Sequence, residues 1–256
     1  MLRQGVVLAA GEGRRLRPWT EHVPKALVLF HGRPLLDHAV AHLVRSGIRR
    51  VAVNAHYLGA QVAHHVERVL APAWPDVEFH VSMEPELLGT GGALKHLATW
   101  LHDEAFVVAN ADNVYEESVE ALWRHHVASG ADGTLLVTRD ARARTMRRLM
   151  VDARGEVRGI VEPWADDAAV FCGVQVAEAS ILERLPAGPS CSLRAGYLPY
   201  LANGLRVCTY ETRGFWADTG SPEAFADAEA RVATAAPRVL ASETPRGAAL
   251  GPFARG

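Results

Sequence analysis

The sequence has few cysteines and little net charge, and each shortage excludes classes of protein. Three cysteines among 256 residues, with no C-x-x-C spacing, argue against a disulfide framework and a zinc knuckle. A formal net charge of −2 gives no basic field that would attract nucleic acid or an anionic membrane surface. We therefore expect a cytoplasmic protein with reduced thiols that binds neither nucleic acid nor membranes.

Long apolar runs and two common nucleotide motifs are also missing. No apolar run reaches the length of a membrane span, and the first expected strand follows Met1 too closely to leave room for a signal peptide. The sequence contains no G-x-x-x-x-G-K-[ST] phosphate loop. Leu16 stands where a G-x-G-x-x-G dinucleotide motif needs its third glycine. These absences argue against P-loop and dehydrogenase nucleotide sites.

The first thirty residues contain a buried strand that ends in a glycine-rich loop. The apolar run over residues 5–10 predicts the strand, and Gly11 and Gly13 follow it. Glycines let backbone amides come close to an anion, and a turn of successive amides forms an anion-binding concavity. Arg15 and Lys25 add a guanidinium and an ammonium group, both of which bind phosphate oxygens. The segment therefore predicts a polyphosphate site.

Strand and helix patterns alternate after this loop. Helices are expected near residues 34–46 and 59–70, and buried strands near residues 51–53, 77–82 and 105–109. Such alternation predicts an α/β fold, a Rossmann-like three-layer sandwich with a mostly parallel mixed central sheet. In that architecture, ligands bind outside the carboxyl ends of the strands.

The length of the chain suits one domain, and the composition changes near its end. A chain of 256 residues can bury a full core. We expect one domain over residues 1–233, with a hairpin within residues 149–162 and a further helix over residues 192–202. Residues 234–256 are rich in Ala, Pro, Gly and Arg without periodicity and are expected to form a mobile tail.

Two aspartates follow extended segments and are the best-placed acids for a metal ion. They are Asp112 and Asp218. Magnesium is commonly bound by one or two carboxylates together with substrate phosphates. Nucleotidyl transfer needs such an ion, cations for the triphosphate and an attacking oxygen held in line. With Arg15 and Lys25, the two aspartates would supply the protein's part of that chemistry.

Several motifs, in order and at intact spacing, resemble those of the sugar-1-phosphate nucleotidylyltransferase family. They are Leu8-Ala9-Ala10-Gly11-x-Gly13-x-Arg15-Leu16 with Pro24-Lys25-Ala26-Leu27, Glu84-x-x-x-Leu88-Gly89-Thr90-Gly91-Gly92-Ala93-Leu94, Asn110-x-Asp112, and Trp216-x-Asp218-Thr219-Gly220-Ser221-Pro222. The match covers roughly residues 5–232. The chain is similar to the short members of the family, which lack a C-terminal left-handed β-helix acyltransferase domain.

The resemblance implies transfer of a nucleoside monophosphate from a triphosphate to a sugar 1-phosphate, with release of pyrophosphate. It implies that Arg15 clamps the pyrophosphate, Lys25 contacts the transferring phosphate, and Asp112 and Asp218 carry Mg²⁺. The residues implied to bind the nucleotide are Ala9, Ala10, Gly11, Gly13, Arg15, Glu84, Gly89, Thr90 and Gly91. Those implied for the sugar phosphate are Asn110, Glu162 and Gly173.

Two positions depart from the family pattern. Ala111 stands where relatives commonly have the glycine of Asn-Gly-Asp, which is tolerated if the backbone there needs no positive φ. Trp164 ends a Val-Glu-Pro-Trp segment where many relatives have Glu-Lys-Pro, so the lysine that grips the sugar phosphate is missing. Either Arg158 or Arg194 replaces that cation, or the acceptor differs.

Alternatives stay open for the activity and for the base. Residues 24–28 and 111–113 also resemble choline-phosphate cytidylyltransferases of the same fold, and a regulatory subunit that only binds nucleotide sugars would keep the fold without turnover. Residues 89–92 alone would equally suit a tight turn into a helix. The two carboxylate oxygens of Glu84 suit the N1–H and N2–H donors of guanine, which we favour slightly over uracil. The sequence does not predict the oligomeric state.

Overall fold

The chain forms two compact units that alternate along the sequence. The computed structural model describes residues 2–140, 148–161, 168–235 and 239. Unit 1 comprises Met1–Leu87, Ala109–Glu116 and Ala217–Gly256, and unit 2 comprises Leu88–Val108 and Glu117–Trp216. Apart from residues 234, 235 and 239, the predicted tail lies outside the described residues, and so does Glu162. None of the helices in the described ranges has the length and apolarity needed to cross a membrane.

The elements follow one another in the predicted alternation. The strands are β1 (Gln4–Leu8), β2 (Leu29–Phe30), β3 (Arg33–Pro34), β4 (Arg50–Ala55), β5 (Glu78–Met83), β6 (Phe106–Asn110), β7 (Asn113–Tyr115), β8 (Gly133–Thr138), β9 (Arg148–Val151), β10 (Val157–Val161), β11 (Ala169–Ala177), β12 (Val207–Glu211) and β13 (Trp216–Asp218). The α-helices are α1 (Leu35–Arg45), α2 (Gly59–His65), α3 (Ala71–Ala73), α4 (Gly89–His96), α5 (Val119–Ser129), α6 (Ile181–Arg184) and α7 (Pro222–Ala235). Short 3₁₀ turns over Arg14–Leu16, Trp19–Glu21 and Lys25–Leu27 shape the segment between β1 and β2.

Unit 1 contains three parallel strands whose carboxyl ends lie together. β4 pairs with β1 on one side and with β5 on the other, and both pairings are parallel. The central residues of β1 and β4 are buried, as expected for strands covered on both faces. Helix α1 turns its apolar side chains, including Leu36, Val40 and Leu43, into the core. Residues that follow β1, β4 and β5 are thereby brought to one edge.

Two helices predicted as continuous change type at a proline. The helix expected over residues 59–70 is α2 followed by a π-helical turn over Val66–Leu70 and then α3. Pro72 has no N–H to donate, and its ring crowds the carbonyl of residue 68, which favours the wider turn. The helix expected over residues 192–202 is a π-helical turn over Ser192–Tyr197 and a 3₁₀ helix over Leu198–Asn203. Pro199 lies at the start of this tighter helix, where its missing N–H interrupts the bonding of the preceding turn.

Unit 2 has a mixed sheet. β8 pairs with β11 antiparallel and with β12 parallel, and β9 pairs antiparallel with both β10 and β11. The hairpin predicted within residues 149–162 is thus confirmed, with Gly155 at a φ of +79° in its turn. Helix α4 ends at His96 instead of continuing toward Leu101, because the amides of Ala98 and Trp100 donate to carbonyls three residues earlier, at 3.2 and 2.9 Å, in the bonding of tighter turns.

Candidate active site

Asp112 has a protein partner on each of its carboxylate oxygens. Lys25 Nζ forms an ion pair with Oδ2, and Asn113 Nδ2 donates a hydrogen bond to Oδ1 at 2.9 Å. The main-chain oxygen of Asp112 accepts hydrogen bonds from Thr219 N at 3.1 Å and from Thr219 Oγ1 at 2.9 Å. Thr219 is fully buried. The carboxylate is therefore held in one orientation by residues from separate parts of unit 1.

Lys25 is a buried cation whose ammonium group has more N–H donors than its contact with Asp112 uses. It opens the 3₁₀ turn that follows Pro24, and it is 9% exposed. An ammonium group carries three N–H donors, so a bond to Asp112 leaves capacity for a phosphate oxygen. A buried ammonium needs a counter-charge, and Asp112 provides it.

Asp218 lies near enough to Asp112 for the two charges to interact. Burial raises the pKa of Asp218, and the Asp112 carboxylate raises it further, while the charges of Lys25 and Arg15 oppose this change. A divalent cation is the usual means of stabilising two adjacent carboxylates. Within the described ranges, acidic, histidine and cysteine side chains nowhere gather in groups of three or more that could hold a metal ion. A carboxylate pair still fits magnesium, which takes its remaining ligands from phosphates and water.

Gly220 lets Arg15 and Asp218 lie close together. A Cβ atom placed on Gly220 would be 2.5 Å from Arg15 Nη2 and 2.8 Å from Asp218 Oδ2. Any side chain at this position would therefore displace one of the two groups. Arg14, beside Arg15 in sequence, instead pairs with Glu12. The structure thus brings Arg15, Lys25, Asp112 and Asp218 into one cluster in unit 1.

The two glycines of the opening loop serve different purposes. Gly13 has a φ of +64°, and a Cβ there would lie 2.9 Å from Thr20 Cγ2 and 3.0 Å from Lys25 Cβ. Thr20 Oγ1 also donates a hydrogen bond to the Gly13 carbonyl at 2.8 Å. A Cβ on Gly11 would meet no protein atom within 4 Å. Gly13 is therefore required by the fold of the loop, whereas Gly11 leaves open space beside the backbone.

Asn54 is a residue of this region that the sequence analysis missed. The Ala9 N–H donates to Asn54 Oδ1 at 2.7 Å, and Asn54 Nδ2 donates to Glu84 Oε1 at 2.7 Å. Ala9 and Ala10 are buried, as are Asn54 and Glu84. A polar residue directly after the apolar run over residues 51–53 of β4, near the carboxyl end of the strand, was the available signal. These contacts join the ends of β1, β4 and β5.

Ala111 replaces glycine without strain. Described non-glycine residues with positive φ are His31 and Leu58, so the backbone at Ala111 is ordinary. Ala111 is 3% exposed, and its N–H donates to the Leu8 carbonyl at 3.0 Å. Asn110 ends β6 directly before it. This departure from the family pattern leaves the position of Asp112 unaffected.

The second glycine cluster belongs to unit 2 and packs against the segment over residues 188–192. A Cβ on Gly89 would lie 2.6 Å from the Ser190 carbonyl oxygen, and one on Gly92 would lie 2.3 Å from the Gly188 carbonyl oxygen. Gly91 N donates to the Ser190 carbonyl at 2.8 Å. Close packing within unit 2 therefore requires these glycines whether or not a nucleotide binds there. Thr90 Oγ1 accepts a hydrogen bond from Ser192 N at 2.9 Å.

The predicted acceptor residues are only partly described. Gly173 lies in β11 with a φ of +76°, where the pairing of β11 with β8 is irregular, which is the backbone of a bulge. Arg158 is held by Asp152 at 2.6 Å and by Glu156 at 2.8 Å. The side chain of Arg158 thus has local partners in its own hairpin, while Arg194 is exposed.

Relatives of the chain are nucleotidyltransferases by name. N-acetylmuramate alpha-1-phosphate uridylyltransferase of Caulobacter vibrioides is 32% identical over 245 residues, which cover 90% of this chain and 97% of that protein. The mannose-1-phosphate guanylyltransferase catalytic subunit beta of Drosophila melanogaster is 28% identical over 226 residues, which cover 87% of this chain and 60% of that protein. The chain thus spans less than two thirds of the length of that guanylyltransferase.

Solved structures share the fold. UDP-glucose pyrophosphorylase from Acinetobacter baumannii has a TM-score of 0.78 at 19% identity, covering 93% of this chain and 96% of that one. HddC from Yersinia pseudotuberculosis complexed with GMP-PN has a TM-score of 0.73 at 22% identity, covering 90% and 99%. The predicted Rossmann-like fold with a mixed central sheet is confirmed. The family model described as nucleotidyl transferase matches residues 4–235, and the chain therefore belongs to that family.

Proposed function

We propose that this protein transfers a nucleoside monophosphate from a nucleoside triphosphate to a sugar 1-phosphate and releases pyrophosphate. The observation that carries the proposal is the cluster of Arg15, Lys25, Asp112 and Asp218 in unit 1. Two cations suit the charge of a triphosphate, and two carboxylates suit a divalent ion that bridges phosphate oxygens. A protein that only binds nucleotide sugars has no use for both carboxylates.

The chemistry needs no protein nucleophile. An oxygen of the acceptor's phosphate attacks the α-phosphorus, the bond from that phosphorus to the oxygen bridging to the β-phosphorus breaks, and pyrophosphate leaves with the electron pair. The acceptor's phosphate is already anionic near neutral pH, so the protein's task is to place it and to stabilise charge. Arg15 would hold the leaving pyrophosphate bidentately, and Lys25, oriented by Asp112, would contact the transferring phosphate.

Magnesium is the proposed cofactor. Asp112 and Asp218 would hold it, with the remaining ligands coming from phosphate oxygens and water. When bound, the ion neutralises charge that develops on the phosphate oxygens.

The remaining site residues follow from the family resemblance. The nucleotide would lie against Ala9, Ala10, Gly11, Gly13, Glu84, Gly89, Thr90 and Gly91, and the acceptor against Asn110, Glu162 and Gly173. The relatives described above include a uridylyltransferase and a guanylyltransferase, so UTP and GTP come first in any screen. Cys172, Cys191 and Cys208 are free thiols. This supports a cytoplasmic location, where thiols stay reduced.

A substrate screen tests the proposal. Purified protein with Mg²⁺ is assayed for pyrophosphate release with four nucleoside triphosphates, each combined with hexose, heptose, amino-sugar and choline phosphates. We expect release with one triphosphate and a sugar 1-phosphate. Release with choline phosphate alone would assign the acceptor to the non-sugar class. No release with any pair, together with tight binding of a nucleotide sugar, would identify a regulatory binding subunit instead.

A further inference from the structure

Asn54 joins two segments of the proposed nucleotide site through one buried side chain. Its Oδ1 accepts from the Ala9 N–H at 2.7 Å, and its Nδ2 donates to Glu84 Oε1 at 2.7 Å. The Ala9 N–H can only donate, so the amide oxygen must point toward β1 and the amide nitrogen toward Glu84. Asn54 and Glu84 are 3% and 4% exposed. A flipped amide would leave two buried polar groups without their partners, which fixes the orientation.

Glu84 is held by three consecutive residues at the end of β4. Asn54 bonds its carboxylate, the Ala55 carbonyl accepts from the Glu84 N–H at 2.8 Å, and His56 Nδ1 donates to the Glu84 carbonyl at 3.0 Å. Glu84 itself directly follows β5. The main-chain contacts fix the position of the Glu84 backbone, and the Asn54 contact fixes the position of one oxygen of its carboxylate. The carboxylate is therefore oriented before any ligand binds.

We propose that Asn54 is a positioning residue for the nucleotide base, because it sets the Glu84 carboxylate and the main chain at Ala9 in a fixed relation. The inference rests on the proposed function, which places the base against Ala9 and Glu84. Carboxylate oxygens accept the ring N–H donors of guanine or uracil only along suitable directions. Because the Glu84 side chain is ordered in advance, it loses little entropy when the nucleotide binds. Asn54 therefore acts on nucleotide affinity and not on the chemical step at the α-phosphorus.

The replacement Asn54→Asp tests this with almost no change of shape. One oxygen of the new carboxylate still accepts from the Ala9 N–H, but the other faces the Glu84 carboxylate and repels it. We expect the KM for the triphosphate to rise about tenfold or more, as the loss of a buried hydrogen bond to a charged group predicts. The turnover number should change less than this KM. The KM for pyrophosphate in the reverse reaction should be unchanged, because pyrophosphate carries no base.

A second replacement separates positioning from misfolding. In Asn54→Asp combined with Glu84→Gln, the new amide donates to the new carboxylate and restores the bond with its polarity reversed. The triphosphate KM of the double variant should therefore lie within about threefold of the KM of Glu84→Gln alone. Comparing the KM values of the wild type, the two single variants and the double variant gives the coupling between the two residues. If Asn54→Asp does not fold, Asn54→Ser shortens the side chain and removes its contact with Glu84 without adding charge, and the same rise in KM is expected.

The assays are arranged so that this inference and the proposed function can fail separately. If the wild-type protein releases pyrophosphate and the Asn54 variants keep its triphosphate KM, the inference is wrong and the proposed function stands. An equal rise in the KM for pyrophosphate would also overturn it, since that reports general damage to the site. If the wild type shows no turnover, calorimetric titration with UTP and with GTP decides. Weaker binding by a folded variant supports positioning, whereas equal binding, or no binding by the wild type, overturns it.

Discussion

Asp112 is oriented by Lys25 on one carboxylate oxygen and by Asn113 on the other. A group placed this way is preorganised, and preorganised charges stabilise a transition state without rearranging during the reaction. Neither partner was predictable from the sequence. Lys25 was expected to contact phosphate directly, and Asn113 carried no expectation.

Replacing Asp112 with asparagine should abolish most turnover while the protein stays folded. The amide keeps the shape of the side chain but removes the negative charge that pairs with Lys25 and that the proposed metal ion would need. We expect the rate of pyrophosphate release to fall about 10²–10³-fold, the size typical for loss of one preorganised electrostatic group. Thermal unfolding of Asp112→Asn checks the fold. A rate near that of the wild type would remove Asp112 from the proposed metal site.

Arg15 and Arg14 form a matched pair for a test of the proposed pyrophosphate clamp. Arg15 lies beside Gly220 and Asp218, whereas the Arg14 side chain is bound to Glu12 at the surface. We expect Arg15→Ala to slow pyrophosphate release about 10²-fold or more. Arg14→Ala removes the same charge from the neighbouring position and should leave the rate within about twofold of the wild type. Equal losses in the two variants would show that only the general positive charge matters.

At the scale of elements, the opening of α4 is fitted to the segment over residues 188–192. Three of its glycines, Gly89, Gly91 and Gly92, would each place a Cβ too close to that segment. Both interpretations of the cluster, a nucleotide site and a tight turn, were available from the sequence, and the packing requires these glycines under either one. Nothing local in the sequence identifies a partner about a hundred positions away.

Gly92→Ala should destabilise the protein. Its Cβ would lie 2.3 Å from the Gly188 carbonyl oxygen, so the backbone of one segment would have to move. We expect a loss of about 1–3 kcal/mol in the free energy of unfolding, measured by urea titration. Gly159→Ala is the control in the same unit, because its nearest atom, Met150 Cε, is 3.5 Å away at the end of a flexible side chain. Similar stabilities for the two variants would contradict the packing argument.

The sequence predicts elements better than it predicts what lies between them. Apolar periodicity located β1, β4 and α1, because burial of one face or of both imposes the pattern directly. At Pro72 and Pro199 the apolar pattern continues through a helix that changes its type. Apolar periodicity alone therefore did not predict these two changes. Asn54 was missed because a single polar residue in a buried strand has no periodic signature.

At the scale of the whole molecule, the stability should depend on pH partly through His38. Burial lowers the pKa of His38, and its Nε2 donates to the Phe30 carbonyl at 2.9 Å. The nearby Asp37 charge favours the protonated form but does not outweigh burial. The unfolded chain therefore takes up a proton near pH 6.5 that the folded chain refuses. The stabilising effect of neutral His38 is complete above that pH and is lost as the pH falls toward the lowered pKa of the folded state.

The replacement His38→Gln removes this titration. We expect the free energy of unfolding of the wild type to fall more steeply between pH 7 and pH 5.5 than that of His38→Gln, by up to about 1.4 kcal/mol per pH unit. Urea titrations at several pH values measure the two slopes. His64→Gln, at an exposed position in α2, should keep the wild-type slope. Equal slopes for the wild type and His38→Gln would show that His38 is not the group responsible.

The contacts of Thr219 have a consequence for synthesis of the protein. Asp112 emerges from the ribosome more than a hundred residues before its two later partners. Thr219 donates a hydrogen bond to the main-chain oxygen of Asp112, and the carboxylate of Asp218 interacts with the Asp112 charge. The segment Ala217–Gly256 completes unit 1, and its Phe225 ring packs 5.6 Å from both Phe30 and Trp19. A nascent chain that ends before residue 217 therefore carries Arg15, Lys25 and Asp112 without the residues that complete their cluster. Chains terminated before residue 217 should accordingly lack the proposed transfer activity, because Asp218 and Thr219 are needed to complete the cluster.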